Sequence, residues 1–346
     1  MTNLEFAKYR FVIRPRERLI LPAYKGSTFR GGFGHAFKRV TCLLGKEKCS
    51  DGCRLKDKCM YHNVFDAPAM HPFVIEPPLE DREIYGSDDL LSFNLILIGR
   101  AIEYFPYFLF TFEELGRLGI GRGRGQYWLE DVFSVGQDEE TRVYSQKDRR
   151  IMNSGFRITV EEFTKYSTSE VEFCGDGLRT ALTFDVEKTD IELLTPVRLK
   201  YKGNLTSDLD FYLLFRAILM RLAALMDLYS DGGEILLPSG YKTDAASLIK
   251  YFYSYKELEP DSRTVIHQAI SKSKNIATER GDLSWMDWER YSNRQGERMK
   301  LGGVVGKVSF TGPLGKFLPY LLLAEYIHVG KETTFGLGKI KVISPF

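Results

Sequence analysis

The sequence has no long apolar run and almost no net charge. Its best apolar stretch, Phe317 to Ile327, is interrupted by Pro319 and Glu325 and is too short to cross a bilayer, so we expect no membrane protein. The N-terminus has no apolar signal region, because arginines interrupt it, and we expect a cytoplasmic protein. The 346 residues are 44% hydrophobic and 27% charged. This length and composition exclude disorder along the whole chain and suggest two domains or one enlarged domain.

The net charge is only +2, but the charges are unevenly distributed. Residues 1–60 contain 14 Lys/Arg and 5 Asp/Glu, and residues 288–346 contain 9 and 4, whereas residues 127–195 contain 8 and 15. Basic ends and an acidic middle allow one basic face on an almost neutral protein, although an ordinary mixed surface has the same totals. The net charge therefore neither predicts nor excludes a polyanionic partner.

A repeat at an offset of 213 residues predicts the fold. Around each copy the pattern indicates a strand, a helix, a Gly-rich loop and a strand, and each copy is preceded by another strand and helix. This order predicts an α+β protein of two tandem ferredoxin-like (RRM-like, βαββαβ) domains, with a fourth strand of each hidden in an insertion. The identities that define the repeat are Gly99 and Gly312, Pro106 and Pro319, Tyr107 and Tyr320, Gly123 and Gly336, and Gly125 and Gly338.

We place the first domain at residues 1–190 and the second at residues 191–346. The first includes a four-cysteine loop, residues 42–59, and an acidic insertion, and the second includes a terminal Gly-rich loop. In the second half, Ser207 or Asp208 is expected to cap a long apolar helix that starts at Leu209.

The first helix is predicted to follow Ser27 or Thr28 as its N-cap. His35 falls on the side of this helix opposite its apolar residues, with Lys38 three residues further on the same polar side. Three glycines lower the stability of the helix and leave its backbone without side chains. We therefore expect a partner to approach the helix closely there. An exposed histidine beside a lysine is suited to acid–base chemistry, although an ordinary surface histidine has the same pattern. The glycines are Gly31, Gly32 and Gly34, and the apolar residues are Phe29, Phe33, Ala36, Phe37, Val40 and Leu44.

Four cysteines lie within 18 residues in a basic, turn-rich segment. Four thiols in a short loop of a cytoplasmic protein favour a metal over disulfides, and tetrahedral structural zinc is the simplest occupant. An iron–sulfur cluster, disulfides and unliganded thiols remain alternatives, because the spacing is not the usual one of pairs separated by two residues. The predicted zinc ligands are Cys42, Cys49, Cys53 and Cys59.

Two Gly-rich loops carry cations, and one further segment combines arginines with aromatics. Exposed backbone N–H groups with nearby cations suit phosphates, although both loops also suit plain structural turns. Neither loop is a P-loop or a dinucleotide fingerprint, since the lysine motif is absent and each loop precedes a strand. The third segment, Trp288-Glu-Arg-Tyr-Ser-Asn-Arg-Gln, has the aromatic and arginine content that single-stranded RNA requires.

Taken in order, these motifs resemble the CRISPR-associated RAMP-superfamily endoribonucleases that cut precursor CRISPR RNA. The resemblance rests on four parts of the sequence: the segment Gly26 to Lys38, the cysteine loop, the segment from Trp288 to Gln295, and the Gly-rich loop from His328 to Lys339. The resemblance implies a metal-independent cut in repeat RNA, with the ribose 2′-OH attacking the adjacent phosphate to leave a 2′,3′-cyclic phosphate and a 5′-OH. It also implies His35 as the catalytic histidine, and we take Tyr24 and Lys38 as its helpers.

The expected partners are CRISPR precursor RNA and, in addition, subunits of an effector complex, with no DNA and no membrane. The expected cofactor is structural zinc, with no catalytic metal. One alternative function is a non-catalytic RNA-binding RAMP subunit of a CRISPR effector complex, and another is a zinc-stabilised interaction protein. The residues predicted to bind RNA are Arg30, Arg122, Arg124, Arg290, Arg294, Gln295, His328, Lys331 and Lys339.

Overall fold

The protein forms two compact units in a computed structural model. The N-terminal unit comprises Glu5–Ile158 and Thr334–Gly336, and the C-terminal unit comprises Met1–Leu4, Thr159–Thr333 and Leu337–Phe346. The structure describes residues 4–44, 53–66, 70–152, 155–164, 169–170, 181–182, 186–201, 203–254, 265–279, 281–292 and 297–344.

One antiparallel sheet with two helices organises the N-terminal unit. From one side to the other, its four central strands are Phe73–Glu76 (β2), Leu91–Ile98 (β3), Glu5–Pro15 (β1) and Tyr127–Val135 (β4). This order is the ferredoxin-like βαββαβ arrangement. Two further strands, β5 (Glu140–Ser145) and β6 (Arg150–Ile151), extend the sheet beyond β4. The ferredoxin-like elements are β1 (Glu5–Pro15), α1 (Gly26–Thr41), β2 (Phe73–Glu76), β3 (Leu91–Ile98), α2 (Phe105–Leu118) and β4 (Tyr127–Val135).

Aromatic packing between the sheet and both helices forms the core of this unit. Phe11 of β1 contacts Phe93 of β3 and Phe112 of α2, with ring centres 5.1 and 4.8 Å apart. Phe33 of α1 stacks on Phe108 of α2 at 5.2 Å. The predicted apolar face of α1 is buried at its phenylalanines and Ala36, whereas Leu44 lies beyond the end of the helix and is exposed.

The first helix begins earlier than its sequence predicts. Its N-cap is Lys25, which makes no side-chain capping bond, and not Ser27 or Thr28. The Lys25 side chain is fully buried, and its Nζ donates to the carbonyls of Ala23 and Glu80 at 3.0 and 2.6 Å. These two hydrogen bonds hold the chain in place just before α1, where a side-chain cap would otherwise do so.

The C-terminal unit repeats the same topology. From one side to the other, the strands of its sheet are Ala277–Glu279 (β8), Gly303–Thr311 (β9), Lys188–Val197 (β7) and Ile340–Ser344 (β10). The short strand Leu283–Met286 pairs with β9 as well. The carboxylate of Asp210 accepts the Leu213 N–H at 2.7 Å, so this residue caps α3, and not Ser207 or Asp208. The elements are β7 (Lys188–Val197), α3 (Phe211–Tyr229), β8 (Ala277–Glu279), β9 (Gly303–Thr311), α4 (Leu318–Ile327) and β10 (Ile340–Ser344).

The remaining regular elements are short. Three helices cover Val160–Thr164, Ala245–Ser254 and Val265–Ser271. The other short strands form two-stranded antiparallel pairs. These are Leu19–Ile20 with Ile84–Tyr85, Ser169–Glu170 with Ala181–Leu182, Leu199–Tyr201 with Asn204–Thr206, Glu234–Leu236 with Lys242–Asp244, and Glu289–Ser292 with Glu297–Lys300. Among the described residues, no helix has both the length and the apolar character needed to cross a membrane.

The prediction of two tandem ferredoxin-like folds is therefore confirmed. The two Gly-rich loops share a left-handed backbone at one matching pair of glycines, with φ of 79° at Gly123 and 81° at Gly336, whereas in the second pair Gly338 has a positive φ and Gly125 does not. The division of the chain differs from the expected boundary at residue 190. Phe163 packs edge-on against Tyr326 at 5.3 Å, and the Val160 N–H donates to the Leu4 carbonyl, so the chain joins the C-terminal unit directly after Ile158.

Candidate active site

His35 lies on the exposed face of α1 in the N-terminal unit. Gly31 precedes it by four residues and is also exposed, and a Cβ atom built at Gly31 would meet no atom within 4 Å. Residues four apart in a helix are neighbours on one face. The helix backbone beside the His35 imidazole is therefore open to a ligand, as the sequence predicts.

The other two glycines of α1 have a different role. A Cβ atom at Gly32 would lie 2.8 Å from Cδ1 of Leu115, and one at Gly34 would lie 1.9 Å from Cζ of Phe65. Both positions therefore let neighbouring elements approach the helix closely, Gly32 from α2 and Gly34 from the π-helical turn His62–Asp66. The expectation that all three glycines bare the helix for a ligand is wrong for these two.

Two cations flank His35 on α1. Lys38 is half-buried, and its Nζ lies 5.5 Å from the ring centre of Tyr61. Arg30 is half-buried as well, with its guanidinium carbon 3.9 Å from the ring centre of Phe65 and 5.2 Å from that of Phe335. The aromatic contacts hold both side chains near the surface of the helix.

Tyr24 contacts the tip of the terminal Gly-rich loop, which belongs to the same unit. Its hydroxyl donates to the Phe335 carbonyl, and burial raises the pKa of the phenol well above its ordinary value. A Cβ atom at Gly26 would lie 2.1 Å from that carbonyl oxygen, so the contact requires glycine there. With its proton engaged by a backbone carbonyl, Tyr24 is better suited to hold the loop tip than to exchange protons with a substrate.

The first Gly-rich loop presents its two arginines to solvent. Arg122 and Arg124 are both exposed, and the Arg122 N–H donates to the Ile20 carbonyl at 2.9 Å. Arg124 has a φ of 54°, in the left-handed region that favours glycine. These two residues are accessible to an anionic ligand, as their prediction requires.

His328 does not lie on the surface of the C-terminal unit. Its side chain is fully buried, and Nδ1 lies 2.9 Å from the Leu337 carbonyl. Because a carbonyl oxygen only accepts, Nδ1 carries the proton and donates it to this carbonyl. The buried imidazole therefore links the two ends of the Gly-rich loop. The structure thus contradicts an RNA contact for this side chain. In the same unit Lys331 is exposed, and Lys339 is half-buried.

Other predicted site residues fall partly outside the described chain. Arg290 lies in the strand Glu289–Ser292, but its side chain, like Arg294 and Gln295, is outside the described residues. Cys42, Cys53 and Cys59 are half-buried free thiols, and Cys49 is outside the described residues as well. In the part of the chain that the structure describes, no cluster of three or more His, Cys, Asp or Glu is arranged to hold a metal. The zinc site stays a prediction.

One feature of the N-terminal unit escaped the sequence reasoning. The guanidinium carbon of Arg16 lies 3.4 Å from the ring centre of Trp128, whose side chain is 38% exposed. No strand pattern in the sequence signals this contact, because β1 ends at Pro15 and Trp128 is remote from Arg16 in the chain.

Two βαββαβ units, each with a Gly-rich loop before its last strand, define a protein of tandem ferredoxin-like folds. Residues 191–340 match the family model described as CRISPR-associated endoribonuclease Cas6. Residues 4–155 match a separate family model described as an N-terminal domain. The C-terminal part of the chain thus matches the Cas6 family of CRISPR-associated endoribonucleases, in agreement with the resemblance inferred from the motifs.

Similar proteins cover most of the chain at low identity. A Cas6 product complex has a TM-score of 0.52 at 14% identity, covering 98% of this chain and 99% of that one. Thermus thermophilus Cas6 has a TM-score of 0.50 at 13% identity, covering 99% and 100%. A partial Cas6-RT-Cas1–Cas2 complex has a TM-score of 0.56 at 14% identity, covering 99% of this chain and 46% of that one. At these identities, the matches show the shared fold.

An uncharacterised protein of Archaeoglobus fulgidus is 24% identical over 193 residues, which are 54% of this chain. The match spans 59% of that relative's length.

We expect opposite stability effects from alanine at two glycines of α1. Gly34→Ala forces a methyl group into the Phe65 ring and lowers the free energy of unfolding by about 1–3 kcal/mol. Gly31→Ala adds its methyl group in open space and raises it by up to about 1 kcal/mol, because alanine is the better helix former. Urea unfolding followed by circular dichroism measures both. Equal stability of the two variants would contradict the close packing of Phe65 on α1.

Proposed function

We propose that this protein is an endoribonuclease that cleaves CRISPR repeat RNA in precursor transcripts without a catalytic metal. The observation that carries the proposal is the exposed His35 beside the open backbone of Gly31, in a chain whose C-terminal part matches the Cas6 endoribonuclease family. Histidine changes its protonation state close to neutral pH, so one imidazole serves either to accept or to donate a proton.

In the proposed reaction the ribose 2′-oxygen attacks the adjacent phosphorus. The 2′-OH loses its proton to a base, the P–O2′ bond forms, the P–O5′ bond breaks, and the leaving 5′-oxygen gains a proton. The products are a 2′,3′-cyclic phosphate and a 5′-OH, and no water or cofactor is consumed. A catalyst for this reaction needs a proton-transfer group and a cation for the negative charge that develops on the phosphate oxygens.

We assign the proton transfer to His35 and the cation to Lys38. The two residues are three apart on α1, so their side chains emerge on neighbouring parts of one helix face. Tyr24 enters this scheme as a positioning residue for the loop tip, through its hydrogen bond to the Phe335 carbonyl. The half-exposed position of Lys38 beside Tyr61 supports its assignment as the cation.

The remaining cations are proposed to bind the RNA. Arg30, Arg122 and Arg124 in the N-terminal unit are candidates for phosphate contacts, because each is at least partly exposed. Lys331 and Lys339 are the candidates in the C-terminal unit, together with the predicted Arg290, Arg294 and Gln295. Subunits of an effector complex remain a predicted further partner.

We expect His35→Ala to bind repeat RNA and not to cut it. Loss of a positioned proton-transfer group slows such a reaction by about 10²–10⁴-fold, and the exposed position of the side chain leaves the fold intact. Single-turnover cleavage of end-labelled repeat RNA in EDTA, resolved on a denaturing gel, measures the rate. A gel shift with the same RNA measures binding.

His62→Gln is the matched control, because His62 lies in the same unit and its Nδ1 is 3.7 Å from an Asp66 carboxylate oxygen. It is expected to cut at the wild-type rate. Wild-type cleavage by His35→Ala would refute the assignment of the catalytic histidine. A wild-type protein that shifts the RNA and forms no product would refute the enzyme and identify the non-catalytic RNA-binding subunit instead.

A second prediction tests whether the Gly31 face is the substrate face. Gly31→Leu places a bulky side chain beside His35, where the structure leaves open space, so the helix forms at least as well and the RNA is obstructed. We expect slower cleavage with an undiminished unfolding midpoint, and a smaller effect for Gly31→Ala. Wild-type cleavage rates in Gly31→Leu would show that the substrate does not approach α1 here.

We also propose that the cysteine loop binds structural zinc. Four thiols suit a closed tetrahedral site, and Cys42 directly follows α1, while Cys59 precedes the turn whose Phe65 packs on Gly34. We expect about one zinc ion per purified chain by elemental analysis, lost in Cys53→Ser. The ion should be retained in Cys174→Ser, which changes the fifth cysteine of the sequence, outside the cysteine loop. A metal-free protein that is fully folded would contradict the site.

A further inference from the structure

Four arginines lie together at one end of the N-terminal sheet. Residues 16–20 run beside residues 122–126, since the Arg16 N–H donates to the Gln126 carbonyl and the Arg122 N–H to the Ile20 carbonyl, each at 2.9 Å. Arg16 is half-buried and the other three are exposed. We call Arg16, Arg18, Arg122 and Arg124 the arginine patch.

The arginine patch differs from four basic residues of the sheet in having no acidic partners. Within the residues that the structure describes, none of its four guanidinium groups forms an ion pair. Four basic residues of the sheet are paired, with N–O distances of 2.5 to 3.6 Å: Lys8 with Glu76, Arg10 with Glu140, Arg14 with Glu130, and Arg142 with Asp131. The charge of these four residues is therefore neutralised within the sheet, whereas that of the patch is available to an external anion.

The matching loop of the C-terminal unit has no arginine at either position. Arg122 and Arg124 stand 213 positions before Phe335 and Leu337, which are buried apolar residues of the second Gly-rich loop. Both loops nevertheless share the left-handed glycine, Gly123 in one and Gly336 in the other. The two backbones are not the same throughout, because φ is positive at Arg124 and not at Leu337. The exposure of the two arginines, and not the repeat, therefore points to a ligand outside the protein.

Trp128 gives the patch an aromatic platform. Its exposed indole is stacked against the Arg16 guanidinium, which is held in place by donation from Nη1 to Oε1 of Gln126 at 3.2 Å. Nucleic-acid bases stack on tryptophan rings and on guanidinium planes, with little dependence on sequence. A fixed indole beside unpaired arginines combines a base contact with phosphate contacts.

We propose that the arginine patch and Trp128 bind a single-stranded segment of the RNA, with phosphates on the arginines and one base on the indole. The inference rests on the proposed function for the identity of the ligand. It adds a binding surface that takes no part in the cleavage chemistry, and it includes Arg16, Arg18 and Trp128, which no motif assigns.

The first test measures the affinity of labelled repeat RNA by fluorescence anisotropy at several KCl concentrations, in the His35→Ala background so that the RNA stays intact. The Arg122→Ala/Arg124→Ala variant is expected to bind more weakly and to reduce the slope of log K against log salt by about 1.4, since each lost single-strand phosphate contact contributes about 0.7. The matched control, Arg10→Ala/Arg142→Ala, removes two paired arginines of the same sheet and is expected to keep the wild-type slope.

The second test addresses the base contact. Trp128→Ala is expected to weaken binding about tenfold and Trp128→Phe to weaken it much less, because a ring remains for stacking. Trp285→Ala removes another exposed tryptophan, 42% exposed in the C-terminal unit, and serves as the control. Unfolding midpoints of all variants establish that the fold is retained. A loss of affinity for duplex RNA with unchanged affinity for single strands would overturn the single-strand assignment.

The outcome for the patch is separable from that for the enzyme. Unchanged affinity and salt slope in the patch variants would overturn the inference, even if His35→Ala abolishes cleavage. If the wild-type protein fails to cut repeat RNA, the proposed function fails, and binding of a uridine homopolymer then tests the patch with the same variants and controls. Loss of homopolymer binding in both Arg122→Ala/Arg124→Ala and Trp128→Ala would still support the surface.

Discussion

The close packing of α1 against its neighbours is the constraint on which the candidate active site depends. Phe33 and Phe37 are buried among the rings of the core, and Gly34 lets the Phe65 ring touch the helix backbone. With these residues turned inward, the helical period leaves His35 facing outward. The orientation of the histidine is therefore set by the residues on either side of it, which have no part in the chemistry.

The same packing connects three separate parts of the N-terminal unit. Phe65, which fills the space at Gly34, also stacks against Arg30, and the Arg30 guanidinium faces the ring of Phe335 from the terminal Gly-rich loop. Tyr24 holds the backbone of Phe335 at the start of the helix. A segment that follows the cysteine loop and the tip of a loop near the C-terminus thus both meet α1 within two turns of His35.

The sequence predicted what depends on spacing and missed what depends on distant partners. The offset of 213 residues was sufficient for three strands and two helices of each unit, because topology follows from the order of elements, whereas the fourth strand of each sheet was expected only somewhere in an insertion. The position of His35 followed from helical period alone. The roles of Gly32 and Gly34 did not, since their neighbours Leu115 and Phe65 are remote in the chain. His328 was misjudged for the same reason: its carbonyl partner and burial arise only once the loop closes.

The near-zero net charge has a spatial explanation. The excess of basic residues in the first 60 positions and the excess of acidic residues at 127–195 meet in one sheet, where Glu130 and Glu140 of neighbouring strands pair with Arg14 and Arg10 of β1. Beyond the end of β1 these acidic partners stop, and the following arginines face the cationic Gly-rich loop instead. Part of the charge that cancels in the total is thus cancelled by ion pairs along this sheet. A neutral protein of this design retains a local positive surface, and the place where ion pairing ends determines where that surface begins.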